Sequence, residues 1–116
     1  MLSRYLDLAE EANAAEDISV VIDVSNYDYF LVQPIGDGAI IEVTLDGGAV
    51  QGVSDGGTST ATNFIAPVGT NITTNNIEQN VLDGDIIRFD VIGRYVKISS
   101  GGLPFTNLFV MLAKIS

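Results

Sequence analysis

The sequence predicts an all-β protein: an antiparallel β-sandwich of about eight strands, jelly-roll-like, with a short N-terminal α-helix. Two observations support this prediction. From Ile18 onward, apolar and polar residues alternate with a period of two, as in half-buried strands. Turn-forming residues such as Gly and Asn interrupt the alternation about every ten residues, which is typical of antiparallel sandwiches and barrels. We therefore expect a helical arm at 1–17 and a sandwich domain at 18–116.

The composition excludes several kinds of chemistry. The 116 residues include no cysteine and no histidine, which removes disulfides, thiolate metal sites, the usual general base and the commonest transition-metal ligand. The sequence shows no nucleophile paired with a base and no phosphate-binding loop. We therefore expect no enzymatic activity and no cofactor.

The charge and hydropathy pattern bears on partners and location. The formal net charge of −10 argues against nucleic acid and anionic membranes as partners, because both are bound through Lys and Arg. No apolar run has the length of a signal peptide core or of a membrane span. We expect the protein to be made in a cytoplasm and used there, or assembled from there.

Residues 1 to about 15 have the spacing of an amphipathic helix. Leu2, Tyr5 and Leu6 recur at helical intervals, and Ser3 is a candidate N-cap. A helix this short is marginal alone in water, so its apolar side must dock on something. Two alternatives are open: the helix covers an end of its own domain, or it is an arm that reaches a neighbouring subunit.

Two of the predicted strands are apolar on both faces. The strands "ISVVIDV" and "GAIIEVTL" alternate apolar and polar residues, as expected when one face meets solvent. In contrast, "YDYFLVQ" and "TNLFVMLAKI" are apolar at both parities. If these two strands are neighbours in one sheet, the outer face of that sheet is apolar. Either the N-terminal helix or another protein must then cover it.

A basic cluster lies near the C-terminal end. The segment "DGDIIRFDVIGRYVKISS", Asp83 to Ser100, holds Arg88, Arg94 and Lys97, three of the five basic residues. Its two alternating stretches predict a hairpin whose outward face carries Arg88, Asp90 and Lys97. Opposite charges paired across strands contribute about 0.2–1 kcal/mol each. The cluster therefore either balances nearby acids on a sheet face or anchors an acidic partner.

The middle of the chain is uncharged. Gly56 to Ile77 contains no charged residue and is rich in Thr, Asn, Ser and Gly. Thr favours strands, whereas Asn and Gly favour turns. We expect a strand near Thr62 to Ala66, followed by a long loop or a second short strand. This region serves either as a polar surface loop or as a contact surface.

Two ligand hypotheses compete with plainer interpretations. A calcium site is conceivable at Asp83 and Asp85 or at Asp55, but Asp-Gly pairs are ordinary turn chemistry and the spacing matches no calcium loop. A carbohydrate-binding module would need exposed rings for sugars to stack on. Tyr27, Tyr29 and Tyr95 are candidates on sequence grounds, and the absence of Trp counts against them.

The chain also resembles a known class of proteins over roughly residues 18 to 116. A Thr-, Ser- and Asn-rich middle, then "DGDIIRFDVIGRYVKIS" and a last strand "LFVMLAKI", resembles small β-sandwich proteins encoded among the structural genes of tailed bacteriophages. In that class a segment like Phe89 to Ile98 runs into a turn and an apolar closing strand. The triplet "RYV", Arg94 to Val96, is similar to the ends of discoidin-like sugar-binding sandwiches. This chain differs from both in lacking Trp and is shorter than discoidin-like domains.

The resemblance implies a component of a phage virion: a capsid decoration or cement protein, or a head or tail appendage subunit. Such a protein assembles in the host bacterial cytoplasm, and its partners are like subunits, a major capsid protein, or both. A carbohydrate-binding module for host-surface glycans is the alternative. The residues expected at the interface are Leu2, Tyr5 and Leu6 in the arm, Tyr27, Tyr29 and Leu31 in the second strand, and Arg88, Arg94 and Lys97 in the hairpin.

Overall fold

The fold is all-β. The structure, a computed structural model, describes residues 2–8, 19–44, 65–92, 95–103 and 105–115. These residues form ten strands: β1 (Leu2–Asp7), β2 (Ser19–Asp23), β3 (Tyr29–Ile35), β4 (Ala39–Thr44), β5 (Gly69–Asn71), β6 (Ile77–Glu78), β7 (Asn80–Val81), β8 (Ile87–Asp90), β9 (Tyr95–Ser100) and β10 (Asn107–Lys114). The predicted all-β class is confirmed.

The strands form two antiparallel sheets with alternating connections. One sheet has six strands in the order β1-β10-β3-β8-β5-β6, and the other has four in the order β2-β9-β4-β7. Without β5 and β6, the two sheets have the orders β1-β10-β3-β8 and β2-β9-β4-β7. The chain changes sheet at every connection between these eight strands except the one from β4 to β7, which are neighbours in the same sheet. This is the strand order of a double-sheet jelly roll, to which β5 and β6 add an edge.

Both sheets contribute to one hydrophobic core. Phe30 on β3 and Phe89 on β8 are directly opposed and stacked, with ring centroids 5.3 Å apart. From the four-stranded sheet, Ile41, Val96 and Ile98 join the same buried cluster. Along β3 and β8 every second residue points inward, as the period of two predicts. Two sheets sharing one core in this way is the arrangement of a sandwich.

The N-terminal segment is a strand, so the predicted helix is wrong over residues 2–7. β1 pairs with β10 along its whole length, from Leu2 opposite Lys114 to Asp7 opposite Phe109. The free edge of β10 supplies backbone partners, and β1 takes them in preference to local helical hydrogen bonds. Six residues are too few for spacing to separate the two structures. Positions 9–17 of the predicted helix lie outside the described residues.

The predicted hairpin between residues 87–91 and 95–98 is also wrong. β8 pairs with β3 and β5 in the six-stranded sheet, whereas β9 pairs with β2 and β4 in the four-stranded sheet. The chain therefore crosses from one sheet to the other after β8. The alternation itself is correct, since Ile87, Phe89, Val96 and Ile98 are all buried. Alternation determines which face is buried and leaves the pairing partner open.

The uncharged middle is described in part. Ile65 forms an isolated bridge with Val43 through two backbone hydrogen bonds of 2.7 and 2.8 Å. The remainder of the strand predicted near Thr62 lies outside the described residues, except for Ala66. β5 is the second short strand that the sequence left open as an alternative to a loop.

Candidate functional site

An apolar surface lies on the outer face of the six-stranded sheet. One row of directly opposed residues crosses all six strands: Tyr5, Met111, Leu31, Arg88, Thr70 and Ile77. In the next row Asp7, Phe109 and Gln33 are opposed. We call Tyr5, Leu31, Phe109 and Met111 the apolar band. The strand neighbours Leu6, Phe30, Val32, Leu108, Val110 and Leu112 are buried in the core, so the band points away from it.

The apolar band lines a shallow groove of about 440 Å³. Ile86 adds a further apolar wall, and the lining also includes the polar side chains of Asp7 and Gln33. Tyr5 is 73% exposed and Phe109 is 43% exposed. Apolar side chains exposed side by side favour a covering partner, because burial contributes roughly 25 cal/mol per Å².

The polar side chains of the groove are engaged by the protein's own framework. Asp7 accepts a hydrogen bond from Asn107 Nδ2 at 2.7 Å and another from the backbone N–H of Leu108 at 3.0 Å. Gln33 Nε2 donates to the carbonyl oxygen of Gly84 at 3.1 Å. These bonds tie β1 to β10 and β3 to the 82–85 turn. The groove therefore presents mainly apolar atoms to a partner.

The charged end of the same face is internally balanced. The Arg88 guanidinium lies over the Tyr29 ring, 4.1 Å from its centroid, and Arg88 Nη2 is 3.6 Å from Asp90 Oδ1. A cation over an aromatic ring at an exposed site contributes about 0.5–1 kcal/mol. Arg88 is thus held against its own sheet. This geometry fits a residue that borders the apolar band.

The residues selected from the sequence fall into three groups. Tyr5, Tyr29, Leu31 and Arg88 come together on the outer face of the six-stranded sheet, although Tyr29 and Leu31 are half-buried. Leu6 is in the core, 6% exposed, and Tyr27 packs partly buried against that core. Lys97 lies on the other sheet, where its Nζ is 3.4 Å from Glu42 Oε1. The Leu2 side chain and Arg94 lie outside the described residues.

Arg88 and Lys97 do not form one basic surface. They occupy the outer faces of different sheets, because β8 and β9 belong to different sheets. Phe109 and Met111, in contrast, belong to the band and were not selected from the sequence. The two-sided apolar pattern of "NLFVMLAK" was the sequence signal for these two residues. It identifies them as part of the band only once β10 is known to lie between β1 and β3. The condition set in the sequence analysis is met, since the two doubly apolar strands, β3 and β10, are neighbours in one sheet.

The Asp-Gly-Asp segment is a tight turn. Asp85 N donates to Leu82 O at 3.0 Å. Gly84 has a φ of +86°, a backbone conformation that residues other than glycine rarely adopt. Asp83 Oδ1 accepts from Gly36 N at 3.1 Å, while Asn71 Nδ2 is 3.3 Å from Asp85 Oδ2. Across the described residues no three His, Cys, Asp or Glu side chains come together as metal ligands. Asp55 lies outside them.

The three tyrosines considered for sugar stacking are engaged elsewhere. Tyr95 is 8% exposed, Tyr27 packs against the core, and Arg88 covers a face of Tyr29. A stacking platform needs an open ring face. The Tyr5 ring is 73% exposed, but the residue directly opposite it on β10 is the apolar Met111.

One carboxyl group has a clearly shifted pKa. Asp37 accepts hydrogen bonds from Leu103 N at 2.9 Å and Gly38 N at 2.8 Å, and these backbone N–H groups lower the pKa of Asp37 below its ordinary value of 3.8. Asp37 lies in the turn from β3 to β4, and Leu103 in the connection from β9 to β10. Asp37 therefore joins two crossings between the sheets, away from the apolar band.

The fold has a counterpart among solved structures. A comparison with protein families gives no match, and neither does a comparison with curated protein sequences. The crystal structure of SPBc2 prophage-derived protein YomS is similar, with a TM-score of 0.60 and 16% sequence identity over 96% of this chain and 92% of that chain. This chain shares its fold with a prophage-derived protein. In the part of the chain that the structure describes, no helix has the length and apolar character needed to cross a membrane.

Proposed function

We propose that this protein is a non-enzymatic structural component of a phage virion, acting as a capsid decoration or cement protein or as a head or tail appendage subunit. The observation that carries the proposal is the apolar band on the outer face of the six-stranded sheet. The fold shared with a prophage-derived protein supports the phage setting. The partners we propose are like subunits, a major capsid protein, or both, and the location is a virion assembled in the host bacterial cytoplasm.

Apolar burial is the force that fits this surface. Like copies repel one another through a net charge of −10, and salt screens that repulsion. Contacts made by Tyr5, Leu31, Phe109 and Met111 do not depend on charge, and they persist at high salt. We therefore expect association through the apolar band to withstand high ionic strength, unlike association through the Arg88 end of the face.

The proposal is tested on particles from the strain that encodes the chain. Particles are banded in a density gradient at high salt, and an antibody against this protein is used to follow it through the fractions. We expect the protein to band with the particles. Recovery of all the protein at the top of the gradient, with none in the particle band, would contradict a virion role.

A pair of matched variants links retention to the band. Phe109 is 43% exposed on the six-stranded sheet, and Ile40 is 41% exposed on the four-stranded sheet. Each is replaced by Ser, in a strain whose own copy is deleted. We expect Phe109→Ser to lower retention on particles by about tenfold, which corresponds to about 1.4 kcal/mol, and Ile40→Ser to leave it unchanged. Equal retention of both variants would place the contact elsewhere.

A further inference from the structure

The two sides of the fold have edges of unequal length. Among the described strands, one side ends in β1 with six residues and β2 with five, while the other side ends in β6 and β7 with two residues each. Short edges offer little backbone for pairing, and native proteins use them, together with Lys and Pro, to prevent association. β1, with the sequence "LSRYLD", contains neither Lys nor Pro. β2, with the sequence "SVVID", also contains neither, but it is one residue shorter. β1 is the longest of these four edges and carries the 73% exposed Tyr5, so we take β1 as the edge best able to accept another strand.

We propose that β1 pairs antiparallel with β1 of a second copy, so that the six-stranded sheets of two molecules form one continuous sheet. A two-fold axis normal to the sheet keeps both outer faces on the same side and places one residue opposite its own copy. Two such registers pair five residues of each strand, one centred on Arg4 and one centred on Tyr5.

Charge selects between the two registers. Centring on Arg4 places two guanidinium groups directly opposite each other, which is destabilising. Centring on Tyr5 places the two tyrosines opposite each other, Ser3 opposite Asp7, and Arg4 opposite Leu6, so that no like charges are opposed. An aromatic pair directly opposed across two strands also stabilises the pairing. The Tyr5-centred register is therefore the favoured one.

The pairing also accounts for the position of Tyr5. This ring is 73% exposed at the end of the apolar band, directly opposite Met111 and at the edge of the sheet. In the dimer it meets the same ring of the second copy. The two bands then join into one apolar surface, in the order Leu31, Met111, Tyr5, followed by the same residues in reverse. The pairing rests on the β1 edge and does not require the virion role.

The cysteine-free chain allows a direct test by disulfide cross-linking. In the proposed register Tyr5→Cys is opposite its own copy, within the Cα separation of about 7 Å that a disulfide tolerates. Ser3→Cys is a control on the same strand, because its copies are displaced by four residues, or roughly 14 Å. Phe109→Cys is a second control. It should cross-link rapidly only if two copies pack with the outer faces of their six-stranded sheets against each other.

Each single-cysteine variant is oxidised by air with a copper–phenanthroline catalyst, and the dimer is followed on a non-reducing gel. We expect Tyr5→Cys to cross-link about tenfold faster than either control, since its thiols are held within bonding distance. Equal rates at all three positions would overturn the pairing. Faster cross-linking of Phe109→Cys would overturn it in favour of face-to-face packing.

A substitution without cysteine checks the same register. Tyr5→Lys places two ammonium groups opposite each other at the edge, whereas Ile77→Lys adds the same charge at the other end of the row, where Ile77 is 67% exposed. By light scattering we expect the wild type and Ile77→Lys to have the mass of a dimer and Tyr5→Lys that of a monomer. A monomeric wild type would overturn the pairing, and the particle experiment would still decide the proposed function.

Discussion

The outer faces of the two sheets differ, although their inner faces are alike. On the six-stranded sheet Tyr5, Met111 and Leu31 are opposed in one row, with Phe109 in the next. The corresponding centre of the four-stranded sheet carries the ion pair of Glu42 and Lys97, directly opposed on β4 and β9. Both inner faces are filled by buried aliphatic and aromatic side chains of a shared core.

This difference distinguishes the apolar residues that form the core from those that form the exposed apolar band. The shared core satisfies the folding requirement of both sheets, and the Glu42–Lys97 pair shows that a charged centre on an outer face is compatible with this fold. The apolar band therefore exceeds what the sandwich needs for its own stability. An outer face of this kind is typical of a surface that meets another protein.

Neighbouring residues on β3 should differ most in their contribution to stability. Phe30 is fully buried and stacked on Phe89, whereas Leu31 is half-buried on the outer face. We expect Phe30→Ala to lower the free energy of unfolding by about 3–5 kcal/mol, because the substitution leaves a cavity. Leu31→Ala should lower it by about 1 kcal/mol or less, because the residue already meets solvent. Urea unfolding measures both, and equal losses would show that Leu31 is part of the core.

Close packing of β5 against β8 gives the next largest effect. A Cβ added at Gly69 would lie 2.6 Å from Arg88 O and 2.6 Å from the Ile87 side chain. Gly69→Ala must therefore push β5 and β6 away from the sheet, at a cost of about 1–3 kcal/mol. Thr70→Ala, on the adjacent outer-face position, is the control and should change little. Hydrogen exchange of the β5 and β6 amides would reveal the loss, and unchanged protection would contradict it.

The sequence predicted the burial of strands better than their pairing. The alternation in "RFD" and "YVKIS" correctly indicated that Phe89 and Ile98 point inward. It could not show that β8 and β9 enter different sheets, because a hairpin and a crossing between sheets produce the same alternation. Partner choice depends on strands distant in sequence, such as β3 for β8 and β2 for β9.

The candidate site was predictable to the extent that it depends on single strands. The two-sided apolar pattern indicated an apolar outer face only on the condition that the two strands are neighbours, and the pairing of β3 with β10 meets that condition. The contribution of Tyr5 depends on β1 being a strand, and its helix-like spacing of Leu2, Tyr5 and Leu6 concealed this. Pairing with β10, more than one hundred residues away in sequence, decides the structure of β1. A local pattern carries no information about such a partner.

Stability should depend on pH through Asp37, which connects the β3–β4 turn to the β9–β10 connection by hydrogen bonds. Because hydrogen bonds from Leu103 and Gly38 lower its pKa in the folded state, the ionised carboxylate stabilises the fold above its ordinary pKa of 3.8. This contribution is lost as the pH falls through the lowered folded-state pKa. We expect Asp37→Asn to lower the urea midpoint at pH 7 and the difference from wild type to shrink as the pH falls below 3.8. A difference that does not vary with pH would contradict this role.

The smallest effects should come from the ion pairs, which also differ between the two outer faces. Glu42 and Lys97 are 3.4 Å apart with side chains 30% and 31% exposed, whereas Arg88 and Asp90 are 3.6 Å apart with side chains 45% and 76% exposed. Water and salt screen the more exposed pair more strongly. A double-mutant cycle should give about 0.2–1 kcal/mol for the first pair, a smaller value for the second, and a decline of both with added salt. A larger coupling energy for Arg88 and Asp90 than for Glu42 and Lys97 would contradict this ranking. The charged border of the apolar band would then stabilise the fold as much as the ion pair on the other sheet does.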